Sequence, residues 1–167
     1  MLDNVAGVPT HPLAVHAPVV LIPLLTIASI VVLIRRQWLS TAAVPMAVGA
    51  FAMAVGLFVS KQSGERLLTS EDVFLLGSAD EISRHQDLGT QTGWISIAWF
   101  VIAAAAAVFH VLAKRNRAQP LSADAASTTT HDTAALALSV AAAVAASIVT
   151  IWVIRTGHAG AESRWGI

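Results

Sequence analysis

Four long apolar segments divide the sequence, and each is long enough to cross a bilayer as a helix. A hydrocarbon core of about 30 Å needs roughly 20 apolar residues in helical conformation. No Asp, Glu, Lys or Arg interrupts the segments, and backbone groups in lipid must pair within a segment, which requires a helix. The predicted spans are residues 13–34, 42–60, 93–113 and 134–154. The pattern predicts an all-α membrane protein, a four-transmembrane-helix up-down bundle.

The stretches between the spans differ in composition. The stretch between the third and fourth spans, residues 114–133, is rich in Ser and Thr, and this composition predicts a mobile linker. The outer one, residues 61–92, holds a possible N-cap at Thr69 with acids at Glu71 and Asp72, which predicts a short amphipathic helix lying on the outer end of the bundle. We expect residues 1–167 to form a single integral membrane domain.

The charged residues predict the orientation of the chain in the membrane and argue against some classes of partner. Arg35 and Arg36 follow the first span and Lys114, Arg115 and Arg117 follow the third, so the positive-inside rule places both termini outside. Ten basic and ten acidic residues give zero net charge, which argues against a nucleic-acid partner and leaves the lipid bilayer as the expected one. With no cysteine, His, Asp and Glu are the metal-ligand types available.

Histidines mark the outer end of the first span, in the sequence His11-Pro-Leu-Ala-Val-His16-Ala-Pro18. Pro12 is suited to the first helical position, where its missing N–H costs nothing. Pro18 removes an intrahelical hydrogen bond and so restricts the direction of the neighbouring histidine. These histidines are either ligands for a metal or haem, or interfacial side chains that reach for water.

A second histidine motif precedes the third span. Glu81 and His85 are four residues apart and share a helix face, so we expect the carboxylate to orient the imidazole as an outer-shell partner. Gly89 lies one turn further on the same face. It either leaves room for a bulky group such as a porphyrin edge or makes a helix-packing contact.

A third motif, Gly157-His158-Ala-Gly160, follows the fourth span and is preceded by Arg155. The glycines permit close approach of the backbone, and a charge at the boundary must find a partner or reach water. Arg155 is therefore a candidate outer-shell residue. The alternative is a helix end followed by a frayed tail.

Helical rise allows the heights of these histidines to be compared. Heights are counted from the inner ends of the spans, at Arg35, Lys114 and Asp132. At about 1.5 Å per residue, His11, His85 and His158 lie roughly 36, 43 and 39 Å above these residues, and His16 lies roughly 28 Å above Arg35. The sequence therefore predicts an upper layer of three histidines and a deeper fourth. The inner histidines, His110 and His131, are assigned no role and are expected to be solvated.

The three motifs together resemble those of a bacterial family of four-helix membrane proteins catalogued as domain of unknown function 2231. The resemblance covers nearly the whole chain and implies a bacterial cytoplasmic (inner) membrane. It also implies haem or metal binding and, since some members occur with Rieske-type iron–sulfur domains, a link to electron transfer. Carried over to this chain, it implies that the functional residues are His11, His16, His85 and His158.

The favoured hypothesis is a haem b- or metal-binding electron-transfer module at the outer face, with a redox protein or a larger membrane complex as partner. A haem would use His16, His85 and His158 with Gly89, whereas a Cu, Fe or Zn ion would use all four outer histidines. The rival hypothesis is a non-catalytic structural or assembly subunit. A proton or solute conduit is disfavoured because no Asp, Glu, Lys or Arg lies within a span, and no enzyme motif is present.

Overall fold

Four helices make up most of the molecule in the computed structural model, which describes residues 4–5, 8–68, 77–118 and 125–165. Two two-residue strands, Asn4–Val5 and Val8–Pro9, pair antiparallel ahead of the first helix. A 3-10 turn, Arg36–Trp38, joins the first two helices. The helices are α1 (Thr10–Ile34), α2 (Leu39–Leu68), α3 (Ala79–Ala118) and α4 (Ala125–Trp165).

All four helices are long and apolar enough to cross a membrane. Each predicted span lies within one of them, so the all-α, four-transmembrane-helix fold class is confirmed. The hydrophobic pattern did not predict the short N-terminal strand pair or the 3-10 turn between α1 and α2.

The helices extend well beyond the hydrocarbon spans, and the predicted loops are correspondingly shorter. Residues 61–68 continue α2 and residues 79–92 begin α3, so most of the predicted outer loop is helical. The separate helix expected from Thr69 to Asp72 lies outside the described residues. At the inner end, residues 114–118 and 125–133 of the predicted mobile linker are also helical.

Polar contacts stabilise these extensions in water. Ser78 caps the start of α3, because its backbone N–H and its hydroxyl both donate to the Glu81 carboxylate, at 2.8 and 2.9 Å. At the inner end, Arg117 of α3 forms an ion pair of 2.7 Å with Asp132 of α4. The helices can therefore continue where the apolar pattern stops.

The helices pack in a square, in which each contacts the next along the chain and α4 contacts α1. Small side chains fill the centre: Ala50 and Ala146 are completely buried, beside Ile22 and Val149. Small residues let helix backbones approach closely in lipid, where the hydrophobic effect does not drive helices together. The apolar residues on the outer surface are left facing lipid.

Hydroxyl groups join the helices inside this apolar centre. The Thr26 hydroxyl donates to the Ala146 carbonyl at 3.1 Å and lies 2.8 Å from the Thr150 hydroxyl, which links α1 to α4. Thr92 and Thr156 form a second hydroxyl pair, of 2.9 Å, between α3 and α4. Both sets of bonds join α4 to a neighbouring helix. The starts of α1 and α3 and the ends of α2 and α4 lie at the same end of the bundle, which we call the mouth.

Candidate functional site: a histidine pair at the mouth

Two imidazoles meet at the mouth. His11 stands near the start of α1 and His85 near the start of α3, and their ring centroids lie 6.2 Å apart with the ring planes at 83°. Both residues are half-buried. Since α1 and α3 occupy opposite corners of the square, the pair spans the centre of the bundle.

A main-chain carbonyl of the following helix holds each ring. His11 Nδ1 lies 2.9 Å from the Ser60 carbonyl oxygen, and His85 Nδ1 lies 2.9 Å from that of Thr156. A carbonyl oxygen only accepts, so Nδ1 must carry the hydrogen in both rings, and the neutral ring keeps its lone pair on Nε2. The Ser63 hydroxyl, 3.2 Å from His11 Nδ1, itself donates to the Ser60 carbonyl at 2.8 Å.

A glycine lies against each imidazole. A Cβ atom added at Gly64 would lie 3.0 Å from His11 Cε1, and one added at Gly160 would lie 2.9 Å from His85 Cε1. Real Cβ atoms essentially never come closer than 3.0 Å to another heavy atom, and few come as close as 3.4 Å. Glycine at both positions therefore makes the room that the rings occupy.

The two halves of the site are equivalent. His85 follows His11 by 74 positions, while the carbonyl acceptor and the glycine on α4 follow those on α2 by 96. The same offsets relate buried residues deeper in the bundle. The matching buried pairs are Pro18 with Thr92, Ile22 with Ser96, Ala47 with Ala143, Ala50 with Ala146 and Met53 with Val149. The α1–α2 and α3–α4 hairpins are thus structural repeats, and each contributes one histidine.

The electrostatics of the mouth favour an uncharged His11. Burial lowers the pKa of its imidazole and a charge on nearby His85 would lower it further, although the hydrogen bond to the Ser60 carbonyl opposes both effects. His11 is therefore neutral at pH 7, with its Nε2 lone pair available.

The structure does not bring the other two outer histidines into this pair. The imidazole of His158 is 66% exposed and lies 3.2 Å from the Glu162 carboxylate, which also accepts a hydrogen bond of 3.0 Å from Arg84. His16 is exposed on α1, about 140° further round the helix than His11. The upper layer thus holds two converging histidines in place of the expected three.

The predicted outer-shell residues have other partners. Glu81 caps α3 through Ser78 and does not orient His85, whose partner is the Thr156 carbonyl. Arg155 lies over the Trp152 ring, with its guanidinium carbon 5.0 Å from the ring centroid. A Cβ atom at Gly89 would make only an ordinary contact, 3.9 Å from Thr156, so close packing does not require glycine at this position.

The inner histidines are not simply solvated, contrary to expectation. His110 Nε2 lies 3.0 Å from the Ser139 hydroxyl, and His131 Nδ1 lies 3.0 Å from the Asn116 amide. Both contacts join α3 to α4 near the inner end, where two adjacent antiparallel helices bring polar side chains within reach of one another. We assign them a structural role.

Within the described parts of the chain, no three His, Asp or Glu side chains gather into a metal-binding group. The donor set at the mouth is two imidazoles. Sequence reasoning missed the residues that hold them, namely Ser60, Ser63, Gly64 and Thr156. A signal was present, because a hydroxyl residue stands four positions before a glycine near the end of both α2 and α4.

The fold and the site define a class of protein: a four-helix integral membrane protein with a histidine pair at one end. A family model described as "Predicted membrane protein (DUF2231)" matches residues 7–167, so the chain belongs to this family. Neither the curated proteins nor the solved structures include a match to the chain.

We expect Gly160→Ala to destabilise the protein, because its Cβ would displace the His85 ring. Overpacking of this kind typically costs about 1–3 kcal/mol. Gly157→Ala is the matched control on the same helix, since nothing lies within 4 Å of its added Cβ, and it should stabilise α4 by up to about 1 kcal/mol. Free energies of unfolding in detergent would test this. Equal effects of the two substitutions would contradict it.

Lowering the pH should destabilise the folded protein through protonation of His11 at the mouth. Its pKa in the folded protein lies below the ordinary value of 6.5, so the unfolded chain binds more protons and the free energy of unfolding falls as pH drops below about 6.5. His11→Asn keeps an N–H donor for the Ser60 carbonyl but does not titrate. We expect wild type to lose more stability than this variant between pH 7.5 and pH 5.5. Parallel losses in the two proteins would show that His11 is not responsible.

Proposed function

We propose that the protein is a haem b-binding electron-transfer module of the membrane, with His11 and His85 as the axial ligands. The observation that carries the proposal is the pair of imidazoles whose Nδ1–H groups are both held by main-chain carbonyls. Metal-ligating histidines almost always donate their second ring N–H in this way, because the bond fixes the tautomer and the ring orientation.

The number of donors favours haem over a lone ion. A protein-bound zinc ion takes three or four side-chain ligands, whereas a haem iron needs only axial ligands from the protein, with histidine prominent among them. The separation of the rings agrees with this choice. With ring centroids 6.2 Å apart, His11 and His85 are close enough that both imidazoles could hold one iron.

When bound, haem would supply one-electron chemistry through its iron. The chain's own residues hold and orient the ligands. The Ser60 and Thr156 carbonyls fix the two rings, Gly64 and Gly160 leave space for them, and burial keeps His11 unprotonated. A redox protein, or a larger membrane complex docking at the mouth, is the partner that this function calls for.

Absorption spectroscopy tests the ligand assignment. Protein purified in mild detergent from haem-replete cells should show a Soret band, and His11→Ala and His85→Ala should each abolish it. His16→Ala and His158→Ala are the controls and should retain the band. Free imidazole added to His85→Ala should restore it in part, which a purely structural role of His85 would not predict.

Other results would redirect the assignment. Loss of the band in His16→Ala or His158→Ala, with His11→Ala unaffected, would overturn the proposed pair. A colourless protein with stoichiometric copper, iron or zinc by elemental analysis would favour an ion site. A colourless, metal-free protein would favour the structural or assembly subunit, in which the two rings only join helices.

We further propose that the mouth and both termini face the outside of a bacterial cytoplasmic membrane. Each end has five basic residues, but those at the other end are grouped directly after the first and third spans, whereas those at the mouth are dispersed. The chain has no cysteine, so single cysteines can report the orientation. Gln62→Cys at the mouth should react with an impermeant maleimide in spheroplasts, whereas Gln37→Cys at the opposite end should react only after permeabilisation. The reverse pattern would invert the proposed orientation.

A further inference from the structure

An open polar groove of about 390 Å³ runs between α3 and α4 on the outer surface of the mouth. Its lining includes Arg84, Asp87, Gln91 and Arg155. None of the residues that hold the histidine pair lines it. The groove is therefore a second feature of the same end of the bundle.

Arg155 is the cation in the groove that is available to an anion. Its guanidinium carbon lies 5.0 Å from the Trp152 ring centroid, and the Trp152 indole N–H donates to Gln91 at 3.0 Å. The guanidinium carries its N–H donors in a planar fork, which matches a phosphate. Arg84, by contrast, is already paired with Glu162 at 3.0 Å. No carboxylate in the described part of the chain forms an ion pair with Arg155.

Asp87 supplies the opposite charge. It is exposed and, among the described side chains, has no ion-pair partner. The groove thus offers the guanidinium of Arg155 and the carboxylates of Asp80 and Asp87, none of which forms an ion pair among the described side chains. A ligand that carries both signs of charge would satisfy both kinds of group together.

The depth of these residues matches the lipid headgroups. The apolar spans end at Ile154 on α4 and begin at Gly93 on α3, so Arg155 and Gln91 lie at the hydrocarbon boundary. Asp87, six residues before Gly93, lies about 9 Å above the boundary. The headgroup layer on each side of a bilayer is about 5–7 Å thick. Arg155 is therefore at the level of the phosphates, and Asp87 lies just above the headgroup layer, on the side toward which headgroup amines project.

We propose that the groove binds a zwitterionic phospholipid with a primary amine, such as phosphatidylethanolamine, with its phosphate on Arg155 and its ammonium on Asp87. An ammonium has three N–H donors for the carboxylate, whereas the quaternary amine of phosphatidylcholine has none. An anionic headgroup such as that of phosphatidylglycerol would be repelled by Asp87.

Native mass spectrometry of the purified full-length chain tests the proposal, with each of the three lipids added at equal concentration. We expect phosphatidylethanolamine to be retained several-fold more than phosphatidylcholine or phosphatidylglycerol. Arg155→Gln should reduce its retention several-fold, and Asp87→Asn should remove the preference over phosphatidylcholine. Arg36→Gln, at the opposite end of the bundle, is the matched control and should change neither.

Three results would overturn the proposal. Equal retention of the three lipids would show that the groove does not discriminate between headgroups. Preferential retention of phosphatidylglycerol would identify a simple anion site. Competition by soluble glycerophosphoethanolamine at concentrations equal to the lipid would identify a free phosphate ester as the ligand. None of these outcomes depends on haem, because the variants lie outside the histidine pair.

Discussion

The contact between an imidazole and a glycine backbone controls the geometry of the mouth. His11 and His85 reach a carbonyl of the neighbouring helix because Gly64 and Gly160 have no side chain where the rings lie. A larger residue at either glycine would push the ring away and break its hydrogen bond. The bond fixes the hydrogen on Nδ1, which leaves Nε2 as the acceptor in both rings. The chemical character of the site thus depends on the absence of a side chain at Gly64 and Gly160.

The repeat relation explains why the two rings meet. Corresponding residues of the two hairpins are buried to a similar degree at matching depths, and each hairpin supplies one histidine at the same height. A ligand between the rings would contact equivalent groups on its two sides. The two halves are not identical, however, because Ser63 adds a hydroxyl beside His11, whereas the matching position on α4 is Ala159.

The sequence contained enough information for the spans and for part of the site. The requirement for apolar helices in lipid is local, so it can be read from each segment, and the fixed helical rise placed His11 and His85 at similar heights. The position of a residue along its helix does not determine whether its side chain faces the centre of the bundle. His158 and Gly160 are two residues apart, about 200° around α4, and the glycine faces His85 while the histidine is exposed. The spacing of Glu81 and His85 implied a helix at the start of α3, but Glu81 was assigned to His85 and not to its capping partner Ser78.

The two-helix length of the repeat has a topological consequence. A hairpin of two spans returns the chain to the side of the bilayer from which it entered, so a second copy inserts in the same direction as the first. The axis that relates the copies then runs along the membrane normal, as in transporters built from parallel repeats. A repeat with an odd number of spans would insert upside down and place its histidine on the opposite surface. An even-span repeat is therefore the simplest arrangement in which a tandem duplication would bring one residue of each copy together at a single face.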